Sequence, residues 1–326
     1  MLNGKAVLVT GGTGSFGSKC VETILKRYTP SRLVVFSRDE LKQSEMAARL
    51  SEREYPALRY FIGDVRDEKR LYRAFQDVDY IIHAAALKQV PALEYNPFEA
   101  VKTNILGAAN IIDAAIDKGV KAVIALSTDK AVSPANLYGA TKLCMEKLFI
   151  AANSYSGKNR TTFSVVRYGN VLGSRGSVVP LFLKRKASGR LPITDMRMTR
   201  FWVSLEQSVD FVLQSLERMT GAEVFVPKLP TMNITDLAKA ICPDCVLDEV
   251  GIRPGEKLHE MLIPGDETGL VLEYPDRYVI HSRTHVPETP TNGQEGRPMP
   301  QGFEYGSCDS TWKISIEELR SLIGQP

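Results

Sequence analysis

The chain of 326 residues is 44% hydrophobic and 24% charged, ordinary values for a globular protein that exclude a wholly disordered chain. Its formal net charge of +3 is too small to mark a nucleic-acid binder, yet leaves room for a local basic pocket around an anionic ligand. No stretch approaches the ~20 apolar residues that span a bilayer, Met1-Leu2-Asn3-Gly4-Lys5 runs into a strand-like segment without a signal-peptide layout, and five cysteines, an odd number, argue against a secreted disulfide framework. The expectation is a cytoplasmic protein with no nucleic-acid and no membrane partner.

Strands and helices alternate through the first half. Lys5–Thr10 is a short apolar run of the kind buried in parallel sheets. Ser15–Tyr28 has helical periodicity, Leu33–Ser37 is a second strand, and Glu40–Glu54 a charged helix. Leu58–Ile62, Tyr80–Ala84 and Ala122–Ser127 repeat the strand signature, with a long helical stretch over about Pro97–Lys118. Leu137–Tyr155 reads as helix and Thr162–Arg167 as strand. The alternation predicts a doubly wound parallel sheet. Beyond about Asn170 it breaks down: Glu206–Met219 looks helical, Glu223–Pro227 strand-like, Asp236–Ile241 helical, Pro287–Pro300 a loop, and Leu319–Ile323 the end of a last helix. Cys242-Pro-Asp-Cys245 has metal or redox spacing, but no second pair accompanies it. Incidental thiols are expected there, and no metal.

Thr10-Gly11-Gly12-Thr13-Gly14-Ser15-Phe16-Gly17 follows the first strand and opens the first helix. Gly12, Gly14 and Gly17 satisfy the dinucleotide-binding spacing in the context that motif requires. Glycines permit a tight turn and a close backbone approach to a pyrophosphate, and the helix N-terminus supplies N–H donors. Gly11, Thr13, Gly14, Ser15, Phe16 and Gly17 are the candidate contacts. The second strand ends at Ser37-Arg38-Asp39. An acid there binds the ribose hydroxyls of NAD, whereas an arginine accommodates the 2′-phosphate of NADP. Spacing alone leaves the choice open; Arg38 comes first, and a guanidinium forks well onto phosphate, which favours NADP. Asp64 and Val65 are placed to cap the adenine, and Ala84 and Ala85 to leave room for a cofactor crossing the sheet edge. Close packing alone explains these alanines equally well.

Tyr138-Gly-Ala-Thr-Lys142 puts a phenol and an amine on one helical face. A tyrosine of pKa about 10 is a poor base at neutral pH; lowering it by ~3 units needs ~4 kcal/mol, which a nearby ammonium and an oxidised nicotinamide would provide. Thr128, Asp129 and Lys130 close the fifth strand, where ligand sites lie in this architecture. Asp129 and Lys130 offer a second proton-transfer pair. An ordinary surface ion pair is the competing reading. Lys88 lies in the switch-point loop within reach of a substrate, unless it is a plain surface lysine. Ser174-Arg175-Gly176-Ser177 is a cationic, glycine-containing segment suited to a diphosphate.

These motifs resemble an extended short-chain dehydrogenase/reductase. TGGTGSFG (10–17), FSRDELKQ (36–43), GDVRD (63–67), HAAALKQVPALEYNPFEA (83–100), LSTDKA (126–131), LYGATK (137–142), VVRYGNVLGSRGSVVP (165–180), ITDMRMTRFW (193–202) and GIRPGEKLHE (251–260) are more narrowly similar to the inverting UDP-N-acetylglucosamine 4,6-dehydratases, which begin pseudaminic acid synthesis. The resemblance spans about residues 2–263. It implies a Rossmann domain of 1–170 plus about 206–230, and a smaller, discontinuous UDP-sugar domain of about 171–205 and 231–326. It implies NADP as cofactor, a UDP-amino sugar as substrate, and a homo-oligomer, with a hexamer as one form. It places Asn170 near the sugar and diphosphate, and Arg200, Arg253 and Glu256 at the UDP end, with Arg175, Ser177, Thr194 and Met198 among the substrate contacts. Retaining 4,6-dehydratases typically carry Asp-Glu where this chain has Asp129-Lys130, so the resemblance sets Lys130 beside carbon 5 of the sugar. Lys130 as carbon-5 base requires a depressed pKa, which an ionised Asp129 opposes; with roles exchanged, Asp129 is the base and Lys130 the donor. A UDP-sugar 4-epimerase, a retaining 4,6-dehydratase and a non-catalytic NADP sensor are the alternatives.

Overall fold

A computed structural model describes residues 1–157, 161–173, 177–267, 270–282 and 296–323. The first half runs β1 (Ala6–Thr10), α1 (Ser15–Arg27), β2 (Arg32–Ser37), α2 (Glu40–Arg49), β3 (Leu58–Ile62), α3 (Glu68–Ala74), β4 (Tyr80–His83), α4 (Val90–Tyr95), α5 (Pro97–Ala100), α6 (Gly107–Asp117), β5 (Ala122–Leu126), α7 (Leu137–Ala152) and β6 (Thr162–Val166). The second half adds β7 (Asn170–Val171), α8 (Val178–Arg185), β8 (Arg190–Ile193), β9 (Thr199–Val203), α9 (Leu205–Arg218), β10 (Glu223–Pro227), β11 (Thr231–Asn233), α10 (Ile234–Ile241), β12 (Val246–Glu249), β13 (Met261–Ile263), β14 (Leu270–Glu273), β15 (Arg277–His281), β16 (Arg297–Pro298), β17 (Tyr305–Gly306) and α11 (Ile316–Leu322).

One ten-stranded sheet organises the molecule, in the order β16-β14-β15-β10-β6-β5-β4-β1-β2-β3. From β3 across to β10 every pairing is parallel, and β15, β14 and β16 close that edge antiparallel. This is the expected doubly wound sheet. β1 and β5 are buried along their whole length, as helices on both faces require of unbroken apolar runs. The strand order reverses between β1 and β4, and such a switch point opens a crevice at the C-terminal ends of the strands. β14, β15 and β16 are three edge strands of this same sheet; the family resemblance groups them with 231–326.

Local differences have local causes. α2 stops at Arg49, short of the expected Glu54, as Leu50 leaves helical geometry at φ −124° and ψ 82°. α3 is absent from the sequence reading, although the Asp67 side chain caps it by accepting from Arg70 N. The long helix expected over 97–118 is interrupted by a π-helical turn, Val101–Leu106, which throws the buried Asn104 inward. Asn104 Oδ1 accepts from Leu87 N at 2.9 Å, and its Nδ2 donates to Leu87 O at 2.9 Å and Thr141 Oγ1 at 3.0 Å. The switch-point loop is thereby tied to α7.

A second buried cluster, including Phe182, Leu191, Ile193, Trp202, Leu237, Ile241 and Leu319, lies apart from the sheet core. Cys242 and Cys245 sit at the end of α10 and are joined in a disulfide, which corrects the expectation of incidental thiols. The expected loop 287–300 falls mostly outside the described residues, and its end forms β16. No helix among the described residues is long and apolar enough to cross a membrane.

Candidate active site

The glycine turn sits at the switch point. Gly11 has φ +66°, and a Cβ there would stand 2.8 Å from Ala85 N and 2.9 Å from the Ala84 carbonyl carbon. A Cβ on Gly17 would come within 2.6 Å of Gly12 Cα. These two positions let the turn, the start of α1 and the end of β4 meet without side chains between them. Thr10 Oγ1 accepts from Ala84 N and Ala85 N, so its proton goes to His83 Nδ1 at 2.8 Å. That bond sets the neutral Nε2–H tautomer of His83, whose pKa burial pushes down to about 3, with Lys142 adding to the effect.

The other cofactor candidates gather around this turn. Ser37 is buried, and its Oγ accepts from Gln43 Nε2. Asp39 is spent on capping α2, accepting from Lys42 N at 3.0 Å and pairing with Lys42 Nζ at 2.7 Å. Arg38, 52% exposed, reaches Asp64 Oδ2 at only 3.7 Å. Asp64 is forked by Arg66 at 3.0 and 2.7 Å; burial opposes its charge, but the Arg66 contacts outweigh it and hold the carboxyl below its usual range. Val65 is buried, its side chain within 2.7 Å of where a Cβ on Gly107 would stand. An N–H-rich turn, Cβ-free approaches at Gly11 and Gly17, and a nearby guanidinium fit a dinucleotide pyrophosphate and ribose.

Beyond β5, Thr128 to Ala131 form a short 3₁₀ turn, and α7 begins six residues later. Asn136 caps α7, its side chain accepting from Gly139 N at 2.9 Å and donating to Gly255 O at 2.7 Å. Glu94 accepts from Leu137 N at 2.7 Å. Gly139 packs directly on the Lys130 carbonyl, with Lys130 C 2.9 Å from where its Cβ would be. This contact sets Tyr138 beside the 128–130 turn. Burial pushes the Tyr138 phenol up to about 12, while the Lys130 ammonium and a hydrogen bond with Thr128 pull the other way. The cation acting on Tyr138 is thus Lys130. Lys142 is buried one turn on, its Nζ 3.0 Å from Met145 Sδ, and burial lowers its pKa to about 8 against the attraction of Glu146.

Lys130 Nζ lies 3.1 Å from Asp129 Oδ1 and 3.3 Å from Glu260 Oε1. Burial opposes its charge, yet the two carboxylates hold its pKa above the usual lysine range. A ground-state base needs the opposite shift, so the geometry turns against Lys130 as carbon-5 base and towards Lys130 as donor. Asp129 Oδ1 also accepts from Thr128 Oγ1 at 2.9 Å, while Oδ2 is buried without a partner. Lys88 is exposed on the loop after β4; partial burial of its amine and the nearby Lys130 lower its pKa.

The substrate-side candidates are less uniform. Asn170 Oδ1 and Ser177 Oγ are buried without protein partners. Thr194 is half-buried and Met198 buried, its Sδ accepting from Arg200 Nη2 at 2.9 Å. Arg200 is buried and donates to the carbonyls of Thr199, Leu258 and Lys257, lashing β9 to the 257–260 segment. Glu256 Oε1 lies 3.8 Å from Arg200 Nη2, its Oε2 buried and unpartnered. Arg253 is exposed. Arg175 lies outside the described residues. Gly139, Asn104, His83 and Glu260 received no role from sequence, although His83, Gly139 and Glu260 stand inside the quoted motifs; spacing does not reveal which residue across the fold each one faces.

A glycine cradle at the β1–α1 turn, and a tyrosine and lysine on the helix after β5, define a short-chain dehydrogenase/reductase of the extended type. The sequence signature of the polysaccharide biosynthesis protein family matches residues 7–282, and the chain belongs to that family. It is 51% identical to a UDP-N-acetylglucosamine 4,6-dehydratase (inverting) of Campylobacter jejuni, covering 99% of this chain and 98% of that one. It is 40% identical to a UDP-glucose 4-epimerase of Rickettsia conorii, over 98% and 95% of the two chains. Among solved structures, Pen from Bacillus thuringiensis superposes with a TM-score of 0.88 at 38% identity, covering 99% of this chain and 98% of Pen.

Two outcomes test the site's physical reading. Gly139→Ala forces α7 away from the Lys130 carbonyl, so turnover should fall by at least about tenfold while circular dichroism stays native; unchanged kcat would show that the approach is not needed. Lys142 has a folded pKa near 8, below its unfolded value of 10.5. Its penalty is therefore complete below pH 8 and is relieved as pH rises towards 10.5. Lys142→Met should stabilise the ligand-free protein at pH 7 by up to about 3 kcal/mol while abolishing turnover. Denaturant melts should show that gain shrinking between pH 8 and 10.5.

Proposed function

We propose that this chain catalyses the NADP-dependent 4,6-dehydration of UDP-N-acetylglucosamine with inversion at carbon 5, giving UDP-2-acetamido-2,6-dideoxy-beta-L-arabino-hex-4-ulose. The observation that carries this reading is the Lys130 ammonium held against the buried Asp129 carboxylate beside Tyr138. A 4-epimerase needs a base for the 4-hydroxyl but no second proton-transfer pair. The 51% identity to a dehydratase of that name over nearly the whole of both chains supports the same choice. The setting we infer is the cytoplasm, as a homo-oligomer opening pseudaminic acid biosynthesis.

A dinucleotide held at the 10–17 turn would supply the hydride acceptor for carbon 4 and the hydride donor for carbon 6. The Tyr138 phenolate oxygen takes the 4-hydroxyl proton. Once carbon 4 is a ketone, the carbon-5 proton is acidic; Asp129 takes it, and Lys130, paired with Asp129 on the same side of the sugar, protonates the departing 6-hydroxyl as water forms. A water on the opposite face protonates carbon 5, which inverts it. The proton gained by Tyr138 restores Lys130 and that gained by Asp129 neutralises the hydroxide left by the water, so the protein ends each cycle unchanged. Asn170, with its unpartnered carbonyl oxygen, and Ser177 are the polar groups we assign to the sugar and diphosphate; we assign Arg200, Arg253 and Glu256 to the UDP end, with Thr194 and Met198 as further substrate contacts. The second apolar cluster supports 171–205 with 231–326 as the sugar-binding part.

Mass spectrometry of UDP-N-acetylglucosamine incubated with the protein in deuterated water tests the reading. The expected product has lost one water, carries solvent deuterium at carbon 5 and has inverted configuration there, with no net consumption of cofactor; Tyr138→Phe should bind cofactor but make none. An isobaric product would establish an epimerase instead, and retained configuration a retaining dehydratase. Arg38 stands free of a close ion pair while Asp39 is engaged in capping, which supports NADP over NAD. Arg38→Ala should weaken NADP roughly 10–100-fold and NAD little, the size of one charge-assisted phosphate contact. Equal weakening in a binding titration would refute that preference.

A further inference from the structure

Glu260 is 3% exposed, on the segment just before β13, and belongs to none of the roles above. Its backbone is fixed at both ends: Glu260 N donates to Ser307 Oγ at 2.9 Å, and Ser307 N donates to Glu260 O at 2.8 Å. Ser307 Oγ is itself 2.7 Å from Thr199 Oγ1, which meets His259 Nδ1 at 2.8 Å. The carboxylate is aimed by this framework, since its Oε1 stands 3.3 Å from Lys130 Nζ and 3.8 Å from Arg200 Nε. Its Oε2 is buried with no partner, as is Asp129 Oδ2. Two buried carboxylates therefore grip one ammonium from opposite elements, the β5 end and the segment before β13. The Lys130 side chain is 27% exposed, against 1% and 3% for the two acids, so Lys130 is the member of the trio that keeps side-chain surface open to solvent or ligand.

We propose that Glu260 is a positioning residue for the reaction: with Asp129 it clamps the Lys130 ammonium, keeping it protonated and pointed at the sugar. An ion pair to Asp129 alone would leave the lysine stem free to rotate about a single contact. The second carboxylate, across the cleft, fixes direction as well as charge. The charged neighbours are consistent with a clamp rather than a stray pair. Arg200 and Lys257 face Glu260, and Lys257 Nζ is held by the Val132 carbonyl; Lys88 and Tyr138 face Lys130. Burial and Asp129 raise the Glu260 pKa, and Lys130, Arg200 and Lys257 oppose that rise. Removing the Glu260 charge leaves Lys130 with one carboxylate and unopposed repulsion from Arg200, so its pKa must fall. The clamp stands on geometry alone, whereas its effect on turnover rests on the dehydratase reading.

Two readouts separate the two. The first is competitive acetylation of lysines with acetic anhydride across pH, with Lys130 followed by peptide mass spectrometry and the exposed Lys102 as internal reference. In the wild type, Lys130 should acetylate with a midpoint above that of Lys102; in Glu260→Gln the midpoint should drop by about one pH unit or more, and in Glu260→Asp by less. The second is the pH profile of water loss. Glu260→Gln should lower kcat roughly tenfold or more, leave KM within about twofold, and move the alkaline limb down by the same amount as the labelling midpoint. A wild-type midpoint at or below that of Lys102 overturns the clamp even if the variant fails to fold, as does an unmoved midpoint in a folded variant. A shifted midpoint in a protein whose wild type makes no dehydrated sugar upholds the clamp and sinks the dehydratase reading.

Discussion

A side chain of any size at position 139 would collide with the Lys130 carbonyl. That contact decides how near α7 can come to the turn after β5, and every reacting group depends on the answer. Tyr138 and Lys142 ride on α7, whereas Thr128, Asp129 and Lys130 belong to the turn. With hydrogen in place of a methyl group, the helix start seats on the turn's backbone, and Tyr138 comes under the influence of Lys130. Asn136 then locks the arrangement from outside by bonding to Gly255 O, and Glu94 does so from the α4 side. Three separate stretches of chain thus converge on one helix N-terminus.

The charges at this junction are arranged at a cost in stability. Lys142 is buried with its pKa lowered, beside a thioether rather than a carboxylate. Lys130 is held charged between two acids whose outer oxygens have no protein partner. Unpaired buried polar atoms are unfavourable unless a ligand completes them, and the outer oxygens of Asp129 and Glu260, on the two acids that hold Lys130, are such atoms. The Arg167–Glu146 pair beneath them has the opposite character. Arg167 Nη2 and Nε meet Glu146 at 2.7 and 3.2 Å, and Nη1 donates to Leu262 O at 2.9 Å. That pair is buried and multiply bonded, so it ties α7 to β6 and β13 as a fixed floor under the reactive groups.

Much of the Rossmann half was legible because its signals are local. Apolar runs such as 6–10 and 122–126 can only be buried strands in this context, and the glycines at 11 and 17 announce a turn that must come close to another backbone. α3 was missed since seven residues of mixed polarity carry little periodicity. The π turn at 101–106 was missed since a helix with one extra residue per turn has nearly the same composition as an α-helix. The choice between Asp129 and Lys130 as carbon-5 base stays open in the sequence for another reason. Sequence places Asp129 next to Lys130, but the second carboxylate that raises the lysine's pKa arrives from residue 260.

The sequence by itself determined most of the strand and helix alternation up to β6, the dinucleotide turn, and the membership of Tyr138, Lys142, Asp129 and Lys130 in one neighbourhood, because each rests on contacts between residues close along the chain. Only the tertiary structure decided the protonation of Lys130, the disulfide at Cys242 and Cys245, the joining of β14, β15 and β16 to the main sheet, and the place of Glu260. These depend on distances between segments more than a hundred residues apart, or on which partner a side chain finds once the chain is packed. Coulombic and desolvation effects act through those distances, and spacing along a sequence does not contain them.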